Sequence, residues 1–111
     1  MRPNIHNFFS RVTTVAGNVR LTLVQMRDAG AKERTIEAAT EWIQRAVADG
    51  SNVICLQELF NGPYPCQSED HRQFDLAEQI PGPTIDAMSR LAAKHEVVIV
   101  APLFERRAPG V

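Results

Sequence analysis

Residues 53–56, Val-Ile-Cys-Leu, are apolar at every position, and a segment of helical periodicity stands on either side of them. No other feature constrains the fold of this chain as tightly. A strand without alternation is one covered on both faces, so the pattern predicts a central strand of an α/β sheet, Asn52 to Gln57 at its widest. Upstream, Val19 to Met26 alternate Val19, Leu21 and Leu23 against Arg20 and Thr22, the period of a strand. Downstream, Glu96 to Phe104 form a third apolar segment. Between the first two, Ile36, Ala39, Ile43, Ala46 and Val47 recur at helical spacing, Glu41 and Arg45 form an i,i+4 pair, and Gly50 sits where a C-terminal cap belongs. Such a helix has roughly four to five turns. Pro83 opens a second helix, with Asp86 early in it and Ile85, Met88, Leu91 and Ala92 as its apolar stripe. Residues 61–82 form a long irregular connection with a short helix around His71 to Ala77, and connections of this length are usually functional or disordered. The order strand, helix, strand, helix, strand predicts an α/β sheet, parallel at least in part.

At 111 residues the chain has the size of one domain, and its 44% hydrophobic and 23% charged residues are ordinary for a globular protein. A net charge of −1 gives no electrostatic reason to expect nucleic acid or an acidic membrane as partner. No apolar run approaches the roughly 20 residues of a membrane span. Two cysteines, Cys55 and Cys66, are too few for a disulfide scaffold, and free thiols suit a reducing, cytoplasmic setting. Residues 1–17 read as a disordered N-terminal extension, although four arginines and no acid before Asp28 also fit a transit peptide. After the third strand the chain runs through "ERRAPGV", a turn signal, so a sheet ending there leaves an edge unpaired.

The strongest chemical candidate is Glu58. In open α/β sheets ligands gather beyond the carboxyl ends of the strands, and Glu58 follows the central one. A carboxylate half-sunk at that rim has its proton affinity raised by desolvation, which suits a general base; the alternative is a carboxylate that caps a loop or pairs with one of the arginines. Cys66 and His71, with Glu58 as orienter, make a chemically sensible nucleophile–base set, though a Cys and a His so close in one loop often meet nothing. Cys55 reads as a small core residue, His95 as a partner for free carbonyls in the last helical turn, and His6 as solvated. Trp42 and Met88 fit helix core faces, whereas Tyr64 either lines a pocket or packs. There is no GxGxxG, no Gly-rich loop with Lys and Ser or Thr, no GxSxG and no HExxH, so neither a cofactor nor a metal is expected.

"GSNVICLQELF", "FNGPYPCQ" and "IPGPTIDAMSRLAAKHEVVIVAPLFERRAPGV" together resemble the nitrilase superfamily, the carbon–nitrogen hydrolases, from about Asn18 to Val111. Within it the chain is most similar to the N-carbamoylputrescine amidase group, with the β-ureidopropionases next. The resemblance implies the N-terminal part of an α-β-β-α sandwich and a hydrolase with a glutamate, a lysine and a cysteine nucleophile. Glu58 matches the family glutamate, a general base, and Tyr64 matches a position that tends to face the substrate. The implied substrate is a small N-carbamoyl amine, cleaved by water to an amine, ammonia and carbon dioxide, and the family commonly forms homo-oligomers through its helices.

Lys32 and Lys94 match neither the family lysine nor its place, and Cys55 and Cys66 do not match the nucleophile. In the family pattern both groups belong to segments after position 111. The resemblance therefore implies the N-terminal portion of a hydrolase, 18–111, enzymatic only at full length and inactive alone. A non-catalytic α/β module that binds a partner, and a small cysteine enzyme using Cys66, His71 and Glu58, are the competing readings.

Overall fold

A computed structural model describes residues 17–109 of the chain. The extension expected over residues 1–17 lies outside the described residues except for Gly17, and so does His6. The elements follow the order β1 (Leu21–Val24), α1 (Lys32–Ala48), β2 (Val53–Leu56), α2 (Pro83–His95) and β3 (Val98–Val100). Two 3-10 turns, Pro65–Gln67 and His71–Leu76, punctuate the long connection.

The helix boundaries follow their local signals. α1 is 17 residues long, and Gly50 just beyond it adopts φ 83°, a left-handed conformation that lets the chain turn straight into β2. Pro83 occupies the first turn of α2, where its missing N–H costs nothing, and Asp86 lies in the same turn.

The sheet is parallel throughout, in the order β1-β2-β3. Its register aligns Leu21 with Val53 and Val98, and Thr22 with Ile54 and Ile99. Side chains alternate across a sheet, so Thr22, Val24, Ile54, Leu56 and Ile99 share one face. Against that face pack Ala39, Ile43 and Ala46 of α1 and Met88 of α2, forming a single core with Phe60.

One expectation fails here. β2 was expected to be covered on both faces, but Ile54 and Leu56 are buried while Val53 and Cys55 are only half-buried. Their neighbours Leu21, Leu23, Val98 and Val100 keep 59%, 74%, 58% and 44% of their surface exposed, so this second face is bare. The cause is topological. Right-handed crossovers that advance in one direction, β1 to β2 to β3, place both helices on the same side of the sheet. Cys55, expected in the core, belongs to this bare face.

The α2 stripe is also rotated from its expected position. Thr84 is fully buried beside Met88, and Ala87 and Leu91 pack on the core, whereas Ile85 does not join it. Trp42, expected in the core, is 45% exposed on α1 with the Arg45 guanidinium 5.0 Å from its ring centroid. His95 does end α2, but its Nε2 is buried without a hydrogen-bond partner rather than bonded to a free carbonyl.

Candidate active site

The carboxyl end of β2 is built by three consecutive residues with different fates. Gln57 stays tied to the neighbouring strand: its Oε1 accepts from the Met26 N–H at 2.5 Å and its Nε2 donates to the Met26 carbonyl at 2.6 Å. Glu58 follows at the start of a turn, and Leu59 then adopts φ 52°. That left-handed conformation is uncommon for a branched residue and is held only where the surroundings compel it. Here the compulsion is Phe60, which the turn carries into the core at 1% exposure.

Glu58 is therefore turned outward. It is exposed, where the sequence suggested a half-sunk carboxylate, and it stands two residues before the buried Phe60. Among the described residues the ion pairs are Lys32–Glu78 and Arg72–Asp70, so Glu58 is not engaged by an arginine.

Tyr64 lies within electrostatic reach of Glu58. Its phenol is held above the ordinary range chiefly by the Glu58 carboxylate, which opposes a second negative charge nearby, and next by Cys66. With 42% of its surface exposed, Tyr64 stays outside the core.

Behind the turn runs a buried polar chain that the sequence did not announce. Asn61 Nδ2 donates to Thr84 Oγ1 at 3.2 Å, and Thr84 donates from Oγ1 to Glu78 Oε1 at 2.8 Å and from its backbone N–H to Oε2 at 3.2 Å. Lys32 Nζ closes the chain 2.9 Å from Glu78 Oε1 and also donates to the Leu76 carbonyl at 3.1 Å. The Glu78 backbone joins the segment after β3, donating to Phe104 and accepting from Arg106. Loop, both helix starts and sheet end are thus fastened together behind Glu58. The only local hint was a carboxylate, Glu78, shortly before a Gly-Pro helix start.

The cysteine-enzyme set is not assembled. Cys66 and His71 line one cavity of about 550 Å³ with Leu59, Gln73, Phe74 and Phe104, but Glu58 is not on its wall. His71 stacks on Phe74 at 6.2 Å instead of meeting the Cys66 thiol. Lys94 is exposed on α2, and among the described residues no group of three or more His, Cys, Asp or Glu side chains is placed to hold a metal. No helix of the described residues is long and apolar enough to cross a membrane.

Comparison with known proteins gives a consistent answer. The carbon–nitrogen hydrolase family model matches residues 20–111. Over 88 residues the chain is 34% identical to an N-carbamoylputrescine amidase of Oryza sativa subsp. japonica, covering 78% of this chain and 29% of that one. Over 64 residues it is 34% identical to a beta-ureidopropionase of Arabidopsis thaliana, covering 58% and 16%. The crystal structure of a carbon–nitrogen hydrolase from Helicobacter pylori G27 superimposes with a TM-score of 0.78 at 35% identity, over 84% of this chain and 32% of that one. The chain thus spans less than a third of the length of each of these proteins.

Proposed function

The chain belongs to the carbon–nitrogen hydrolase family, and from that premise we propose that it supplies the general base, Glu58, to a hydrolase of small N-carbamoyl amines. The observation that carries the reading is the position of Glu58, at the carboxyl end of the central parallel strand, unpaired by any cation among the described residues and within electrostatic reach of the Tyr64 phenol. The similarity to an N-carbamoylputrescine amidase supports the choice of substrate class.

The chemistry follows from the family's three groups. Glu58 takes the proton of a cysteine thiol as its sulfur attacks the ureido carbon, and a lysine steadies the oxyanion of the tetrahedral intermediate. The leaving nitrogen receives that proton as its bond to carbon breaks. Glu58 then deprotonates a water molecule that attacks the thioester, regenerating the thiol and releasing a carbamate that falls apart to amine and carbon dioxide. Tyr64 lines the entrance through which the substrate meets Glu58. In the family pattern the lysine and cysteine come after position 111, so residues 1–111 alone do not turn over substrate. Homo-oligomerisation of the whole protein belongs to the same reading.

The test is ammonia release from N-carbamoylputrescine, and from N-carbamoyl-β-alanine in parallel, by the protein expressed from its whole reading frame. Glu58→Gln should lower kcat on the order of 10²- to 10⁴-fold. Undiminished turnover by that variant, or ordinary turnover by residues 1–111 alone, overturns the proposal.

A further inference from the structure

Gln57 makes an unusual use of its side chain. β1 ends at Val24 and β2 at Leu56, where the two backbones are still in register. Two residues beyond that point, the Met26 N–H and carbonyl have no partner on the β2 backbone, and the Gln57 carboxamide supplies both missing bonds. A carboxamide has one acceptor and one donor side by side, as a peptide group has, and can therefore stand in for one. Asparagine has the same groups on a stem one methylene shorter, and glutamate has no donor for the Met26 carbonyl.

We propose that Gln57 is a positioning residue for Glu58: by pairing its side chain with the Met26 backbone it extends the β1–β2 ladder by one step and holds the next residue's carboxylate beside Tyr64. The geometry leaves little slack. Consecutive Cα atoms are a fixed ~3.8 Å apart, so clamping residue 57 to the end of β1 restricts the origin of the Glu58 side chain. On the far side the Asn61–Thr84 hydrogen bond and the buried Phe60 ring anchor the other end of the turn. Glu58 itself makes no ion pair among the described residues, so its placement depends on these backbone anchors. That the placement serves catalysis rests on the function proposed above; the clamp itself does not.

The test uses the protein expressed from its whole reading frame, with the Tyr64 signal taken as the difference between each protein and its Tyr64→Phe counterpart. Spectrophotometric titration of the Tyr64 phenol reports how closely the Glu58 charge is held, whether or not the protein is active. Glu58→Gln should move the Tyr64 titration downward, and Gln57→Met should move it in the same direction with the fold retained by circular dichroism. Hydrogen exchange at the Met26 amide should speed up in Gln57→Met. Gln57→Asn, which keeps the carboxamide but shortens its reach, serves as the second variant if Gln57→Met fails to fold, and should shift the titration likewise. A Tyr64 titration unchanged in the folded variants assigns Gln57 to stability alone and overturns the inference. So does an unchanged titration in Glu58→Gln, because the carboxylate is then not beside Tyr64 at all. Unfolding of both Gln57 variants overturns it as well, since a residue needed to fold is not specifically a positioning one. Loss of hydrolase activity with these shifts intact would instead count against the proposed reaction and leave the clamp standing.

Discussion

Lys32, at the first position of α1, and Glu78, in the segment leading into α2, meet at 2.9 Å although they are far apart in the chain. Burial alone pushes the Glu78 carboxyl up, but the hydrogen bonds from Lys32 and Thr84, with the charge of Lys32, outweigh it and hold the group below its ordinary range. The pair ties both helix starts to the loop that follows the candidate base.

A depressed carboxylate contributes stability that is fully present above its unfolded value, 4.5, and lost as the pH falls through the lower folded value. Thermal melts of the protein between pH 7 and pH 3 should therefore show Tm declining below about pH 4.5. Lys32→Met removes both contributions of the lysine and brings the folded carboxyl back toward its unfolded value, so the decline below about pH 4.5 should become shallower. At neutral pH the same change should cost about 2 kcal/mol, less than for a fully enclosed pair because the Lys32 side chain keeps 26% of its surface in water. Superimposable curves of Tm against pH for parent and variant would show that the ion pair is idle.

Gly82 is required by close approach. A Cβ built there stands 2.4 Å from the Gln79 carbonyl oxygen, a backbone atom that cannot swing aside. Gly82→Ala should displace the start of α2 and with it Thr84, lowering stability by about 1–3 kcal/mol in denaturant titrations. Since Thr84 links Glu78 to Asn61, amide exchange around Asn61 should rise in the same variant. Wild-type stability in Gly82→Ala would mean that the turn before α2 relaxes freely.

The bare face of the sheet sets the behaviour of residues 1–111 in isolation. Leu21, Leu23, Val98 and Val100 form a contiguous apolar surface with Val53 and Cys55 between them, larger than scattered single residues and prone to self-association. The polypeptide of residues 1–111 should bind a hydrophobic dye and sediment as aggregates. The double substitution Leu23→Lys with Val98→Lys should raise its soluble fraction. A sharp, concentration-independent thermal transition of a soluble monomer would contradict this.

Much of the fold was readable without coordinates because its signals are local. Helical spacing from Ile36 to Val47, Gly50 after it, and Pro83 with Asp86 at the next start are determined by neighbours in sequence, and they located both helices. The three apolar segments gave the three strands, and alternating strands and helices gave their parallel order. The place of Glu58 at the end of β2 was equally plain, since it needs only the end of an apolar run followed by a turn.

By itself, then, the sequence determined which segments form strands and helices, their order, and the residue that stands at the mouth of the sheet. Tertiary structure alone decided what each side chain faces. Successive apolar residues in β2 promised two covered faces, yet both crossovers run the same way and leave Leu23 and Val98 bare. Trp42 was left at the surface and Thr84 was buried, and Gln57 and Lys32 found partners, Met26 and Glu78, that no spacing rule connects to them. The reason is physical: backbone preference is settled within a few residues, whereas burial and pairing are settled by which distant segments the folded chain brings within a few ångströms.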